Sequence, residues 1–275
     1  MLLELLYILF FLLLLWVAFQ KTIRESYIPK ERKNHNLNST YIEKNKIVTF
    51  NIKKFPWSCK SFRRSSIVGQ YSIILLQECF NECCDSLDYW FPNHYICRGT
   101  MKGMNIFNSG LAILSIYPVI EIEFHKYKNY NKWSFDCLSE KGFLSVLLDL
   151  GKEKLRVINT HLQSSDYEKY DKKALLQLQE LLEYTSTLRE KYIIGGDFNI
   201  DINVSSGMLQ QAIAYSPKDP TVFIDFTKGS TSSSRKDGYD GMIFDYFISS
   251  NVQLEEPTVI YSSYSDHNPV ISKIL

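Results

Sequence analysis

Between Ile47 and Ile274 the chain is broken into short runs of β-branched and large apolar residues, each only a few residues long. They are Ile47–Phe50, Ile73–Leu76, Leu111–Leu114, Leu144–Leu150, Leu155–Asn159, Tyr192–Ile194, Phe244–Ile248 and Val270–Ile274. Short β-branched and apolar runs of this kind are strand candidates. Between them, Lys172 to Arg189 sets Leu175, Leu178 and Leu182 on one helical face, with Leu181 beside it. There is no internal repeat and no sign of a second domain. Many strands with interspersed helices predict an α/β (α+β) fold in four layers, two mixed β-sheets packed face to face and flanked by helices. A chain of 275 residues, 45% of them apolar, has material for one such core.

The first 20 residues follow a different rule. Leu5 to Phe19 is an uninterrupted apolar run, extending to Leu2 if Glu4 is tolerated. The longer version reaches roughly 27 Å as a helix, close to the ~30 Å of a bilayer's hydrocarbon core. A cleaved signal peptide would want basic residues ahead of the run and small residues behind it. Here Glu4 precedes it, and Lys21, Arg24, Lys30, Arg32 and Lys33 follow. The pattern predicts an uncleaved transmembrane anchor at 1–20, a polar juxtamembrane linker at 21–45 and a catalytic domain at 46–275. The basic flank places that domain on the cytoplasmic side. The six cysteines contain no C-x-x-C pair and read as buried free thiols in a reducing compartment. The sequons at Asn38 and Asn203 would matter only in a lumenal domain. A net charge of +1 shows no basic excess of the kind nucleic-acid binders carry.

Reactive residue types recur where strands end. Asn51 follows Val48-Thr49-Phe50, Glu78 follows Ile73 to Gln77, and His161 ends Val157-Ile158-Asn159-Thr160. Asp197 and Asn199 follow Tyr192 to Gly196, Asp245 opens Asp245-Tyr246-Phe247-Ile248, and Asp266-His267 precedes Asn268-Pro269-Val270. An Asp or Asn at a strand end is usually a turn former, but six such places in one chain outnumber what turns require. Side chains at strand ends converge on a cleft.

In order, Thr49-Phe50-Asn51-Ile52, Leu76-Gln77-Glu78, Asn159-Thr160-His161-Leu162, Gly196-Asp197-Phe198-Asn199, Asp245-Tyr246-Phe247 and Ser265-Asp266-His267 resemble the motifs of the endonuclease/exonuclease/phosphatase (DNase I-like) superfamily. The resemblance covers roughly residues 46 to 275. It implies a metal-dependent phosphodiesterase with Glu78 and Asn51 as ligands of Mg2+, Mn2+ being a possible substitute. It implies His267 as general base oriented by Asp245, with Asp197 and Asn199 positioning water and phosphate. His161 would act on a phosphoryl oxygen or the leaving group, and Asp266 would serve the metal or the backbone. Which of Asp197 and His267 takes the water proton stays open.

Further stretches resemble the neutral sphingomyelinases of that superfamily. These are Asn159 to Ser164, Ser109 to Ser115 followed by Tyr117-Pro118-Val119, and above all Asp136-Cys137-Leu138-Ser139-Glu140-Lys141-Gly142-Phe143. In the last, the resemblance implies that Lys141 reaches the substrate phosphate and that Asp136 pairs with it as a switch. The expected partners are a bilayer and a choline phospholipid such as sphingomyelin; nucleic acid is the alternative substrate. Phe124, Tyr127, Tyr130 and Trp133 fit a partly buried hairpin, with a membrane edge or base stacking as other uses. Asp201 to Pro220 and Ser230 to Asp240 match no assignable motif.

Overall fold

The computed structural model describes residues 42–54, 70–80, 86–99, 108–130, 138–164, 172–214, 216, 218–223, 230–232 and 241–275. The proposed anchor, nearly all of the linker, Asp136, Trp133 and four of the cysteines (Cys59, Cys83, Cys84 and Cys137) lie outside them. Among the described residues no helix is long and apolar enough to cross a membrane.

The first sheet comprises β1 (Glu43–Lys54), β2 (Tyr71–Cys79), β3 (Tyr95–Arg98), β4 (Ala112–Ser115), β11 (Thr258–Val259) and β12 (Val270–Lys273), ordered β11-β12-β1-β2-β4-β3. The second comprises β5 (Val119–Lys126), β6 (Gly142–Asp149), β7 (Lys154–His161), β8 (Tyr192–Asp197), β9 (Thr221–Phe223) and β10 (Asp245–Ser250), ordered β5-β6-β7-β8-β10-β9. Both are mixed. In each, one central pair is parallel, β1 with β2 and β7 with β8, and the other pairings are antiparallel. β1 begins at Glu43, slightly ahead of the boundary read from composition.

Strand alternation sorts the side chains. Ile47, Ile73, Leu75, Leu144, Val146, Val157, Ile193 and Phe247 point between the sheets and form the central core. Val48, Phe50, Ile74 and Leu76 point out of the first sheet, where Leu87 of the one-turn α1 (Leu87–Trp90) joins them. Ile158, Tyr192, Ile194, Tyr246 and Ile248 point out of the second, under α2 (Lys172–Thr187) and α3 (Ile202–Ala214). Helix α2 buries Ala174, Leu178, Leu181 and Leu182; Leu178 and Leu182 lie on the expected face, of which Leu175 is only partly buried. Of the aromatic series, Phe124 packs between the sheets, while Tyr127 is buried on the helical side with its hydroxyl 2.7 Å from Thr160 Oγ1. Cys79 and Cys97 are buried free thiols.

Candidate active site

The inward-pointing series changes character at one end of the sandwich. Along β1 it runs Ile47, Thr49, Asn51; along β2, Ile73, Leu75, Gln77; along β7, Leu155, Val157, Asn159, His161. On β8 it runs Ile193, Gly195, Asp197, and on the antiparallel β10 it ends at Asp245. The apolar core therefore gives way to a layer of amides and then to a layer of acids and histidines. Gly195 keeps the gap narrow: a Cβ there would stand 2.6 Å from Leu75 Cδ1.

Asn51 Nδ2 donates to two carboxylates at once, Glu78 Oε1 at 3.1 Å and Asp197 Oδ2 at 2.9 Å. Its Oδ1 accepts the Lys53 backbone N–H at 2.9 Å and keeps one lone pair. His267 Nδ1 lies 2.7 Å from Asp245 Oδ2, while its Nε2 faces Asp197 Oδ2 at 3.6 Å. His161 Nε2 faces the same Asp197 oxygen, also at 3.6 Å. These last two contacts are too long for hydrogen bonds and act through charge. Asn199, in the left-handed region at φ 50°, donates its backbone N–H to Asp197 Oδ1 at 2.9 Å. Its side chain and Lys141 Nζ both donate to the Leu162 carbonyl, at 2.9 and 3.3 Å. The structure thus brings together Asn51, Glu78, His161, Asp197, Asn199, Asp245 and His267, with Lys141 and Asp266 at their border.

Burial, more than charge, sets the titration of the acids in the site. Burial raises the pKa of Glu78 against the opposing effects of the Asn51 hydrogen bond, Lys141 and His267, and nearby Asp266 adds to the rise. Burial likewise raises Asp197, with Asp245 adding to it and His267, His161 and Asn51 opposing. For His267, burial pulls downward, but the carboxylates of Asp245 and Asp197 and the Asp245 hydrogen bond carry it up to about 10. Asp245 Oδ1 is buried with no hydrogen-bond partner. Crowded carboxylate and amide oxygens are the donor set of a hard divalent cation, so the residues fit one. Two placements compete. Asp197, Asp245 and His267 have candidate ligand atoms within 4.8 Å of one another, but the His267–Asp245 contact is already a short hydrogen bond. Glu78 with Asn51 is the placement that leaves that bond intact.

Several supports escaped the sequence reading. Thr231 Oγ1 accepts the backbone N–H groups of Phe244 and Asp245 at 2.9 and 3.1 Å and so fixes the start of β10. Ser265 Oγ donates to the Asn51 carbonyl at 2.7 Å and accepts His267 N–H at 3.1 Å, tying the histidine loop to β1. Lys53 forms an ion pair with Asp266. Ser265 stands in the Ser265-Asp266-His267 motif, but no local pattern ties it to Asn51 or marks Thr231 and Lys53 for such work.

No protein-family model matches the chain. It is 26% identical over 172 residues to a phospholipase C of Staphylococcus aureus, covering 51% of this chain and 51% of the relative. It is 30% identical over 136 residues to sphingomyelin phosphodiesterase 5 of Danio rerio, covering 43% of this chain and 24% of the relative. The chain thus spans about half the length, or less, of the curated relatives it matches. Among solved structures, a beta toxin mutant of Staphylococcus aureus with bound magnesium ions superposes with a TM-score of 0.65 at 20% identity, over 83% of this chain and 98% of that one. An endonuclease/exonuclease/phosphatase family protein of Leptotrichia buccalis gives 0.62 at 17%, over 84% and 99%. The chain has the fold of these structures, and its sequence is similar to a phospholipase C and a sphingomyelin phosphodiesterase.

Proposed function

We propose that the chain is a divalent-metal-dependent phosphodiesterase that hydrolyses sphingomyelin to ceramide and phosphocholine, with residues 46–275 as its catalytic domain. The observation that carries this reading is the convergence of Glu78, Asn51, Asp197 and the His267–Asp245 pair at one end of the sandwich. Glu78 and the free lone pair of Asn51 Oδ1 would hold the cation, magnesium in the first place with manganese as substitute. Bound there, it would neutralise charge on the non-bridging phosphate oxygens.

The chain's own groups handle the proton and the remaining charge. Asp245 fixes His267 through Nδ1 and leaves Nε2 facing Asp197 across 3.6 Å. The proton of the attacking water enters this His267–Asp197 pair and belongs to the pair, as in other coupled acids and bases. His161, also beside Asp197, donates to a phosphoryl oxygen. Asn199 holds Asp197 Oδ1 in place and lies against the phosphate. Asp266 keeps the loop before His267 against β1 through Lys53. Lys141 supplies a point charge to the phosphate, with Asp136 as its switching partner.

The lipid substrate draws support from relatives that bear the names phospholipase C and sphingomyelin phosphodiesterase. A tether at residues 1–20 would raise the enzyme's effective concentration at a bilayer, where such a substrate stays. Lys141 gives the direct test. An ammonium lost from a shielded phosphoryl-transfer site costs on the order of 10²-fold in rate. Lys141→Ala should therefore lose that much sphingomyelin hydrolysis, and Lys141→Arg should recover only part, because a planar fork replaces a point charge. Unchanged turnover in Lys141→Ala would remove Lys141 from the phosphate site.

A further inference from the structure

The ladder between β2 and β4 runs in register from Ile73 opposite Ser115 to Leu76 opposite Ala112, and stops there. At that point the carbonyls of Leu76 and Ala112 both accept from one donor on the other sheet, Asn159 Nδ2 of β7, at 2.8 and 2.9 Å. Asn159 Oδ1 accepts from Gln77 Nε2 at 2.7 Å, and the same nitrogen lies 3.0 Å from Thr49 Oγ1. All three side chains are fully buried. β2 next bonds to the segment ahead of β4, out of register, through Cys79 N–H to the Gly110 carbonyl at 2.8 Å. β1 is bulged at the same level: Asn51 stands opposite Gln77, but Lys54 stands opposite Cys79.

The break decides where Glu78 points. By alternation Glu78 belongs with Ile74 and Leu76, whose side chains enter the outer core and not the cleft. With the ladder open it adopts φ 54°, in the left-handed region, and its carboxylate turns inward to meet Asn51. An acidic residue held left-handed is strained and persists only where its surroundings fix it. Buried amides are costly in a gap that Ile73, Leu75 and Val157 could line alone. These amides supply what apolar groups cannot, a donor for two carbonyls freed by the break.

We propose that Asn159 and Gln77 form an amide latch between the sheets that opens the β2–β4 ladder and thereby places Glu78 for cation binding. Both are positioning residues: they lie beneath the site and act through Glu78. The inference rests on the metal-dependent reading above, and its test separates the two.

The test titrates Mn2+ calorimetrically into the full chain, metal-free, as wild type, Asn159→Leu, Gln77→Met and Gln77→Leu/Asn159→Leu. Removing the partner that orients a metal ligand typically weakens affinity about 10- to 100-fold. Asn159→Leu should fall in that range and Gln77→Met at its lower end. In both, kcat should drop while KM for lipid stays near wild type. The double variant, which leaves neither amide facing an apolar partner, should regain stability over Asn159→Leu without regaining Mn2+ affinity. If Asn159→Leu does not fold, Gln77→Met decides, since it keeps both carbonyl bonds. Wild-type Mn2+ affinity and kcat in folded Gln77→Met, or affinity returning with stability in the double variant, would overturn the latch. A wild type that binds no Mn2+ overturns latch and metal reading together. One that binds Mn2+ and cleaves no lipid overturns only the substrate reading.

Discussion

Replacing Asp245 by Asn should uncouple His267 from its charge, and the effect is large enough to follow without any substrate. In the metal-free protein the His267 pKa stands at about 10 against an ordinary 6.5. Each unit is worth about 1.4 kcal/mol, so the rise corresponds to at most about 5 kcal/mol of preference for the imidazolium in the folded state. The sign follows from the direction. A histidine whose pKa is raised by folding contributes stability that is complete below about 6.5 and fades as pH climbs toward 10. Metal-free wild type should therefore lose stability across that alkaline window in urea melts. Asp245→Asn removes the carboxylate hydrogen-bonded to the ring, leaving burial opposed mainly by Asp197. Its His267 should titrate several units lower by NMR, and most of the alkaline slope should vanish. Hydrolysis should fall by about 10²- to 10⁴-fold, since an amide no longer steadies the imidazolium or fixes its tautomer. A wild-type His267 titrating near 6.5, or an unchanged slope in Asp245→Asn, would refute the electrostatic account of the site.

Glu78→Gln should abolish turnover and Mn2+ binding while leaving the melting temperature near or above wild type, because the buried charge it removes is one that folding disfavours; retained activity would take Glu78 out of the site. Gly196→Ala should destabilise the domain by at least about 2 kcal/mol in urea melts. Its Cβ would stand 2.0 Å from the Thr160 carbonyl at a φ of 156°, and a loss under about 0.5 kcal/mol would show that β7 and β8 can part there.

The sheet core and the strand-end acids were legible because both obey local rules. Ile73–Leu76 and Leu155–Asn159 are too short and apolar for much else, and Asp245 and His267 stand where a strand must release a side chain. β5 was missed because Glu121, Glu123 and His125 alternate with Ile122 and Phe124, so that no apolar run shows. Helix α3 was missed because Asn203-Val204-Ser205-Ser206-Gly207 reads as a loop; the chain is in fact kinked there, with Ser205 at φ −114°, ψ 16°. The inward turn of Glu78 could not be read at all. Strand alternation sends it outward, and the correction comes from Asn159, 81 positions along the chain and on the other sheet. Thr231 escaped for the same reason, as did the bond from Ser265 to the Asn51 carbonyl: these partners are close only after folding.

Whether Glu78 and His267 run a lipid phosphodiesterase is decided by presenting the full chain with sphingomyelin micelles and plasmid DNA in parallel at matched magnesium. The micelles should release phosphocholine, and chelation should stop that release and fresh magnesium restore it. That release should be lost in Glu78→Gln and in His267→Ala, with the plasmid left intact. Plasmid cleavage that depends on Glu78 and His267 and falls steeply with salt, as counterion release would make it, with no phosphocholine released, would contradict a lipid phosphodiesterase.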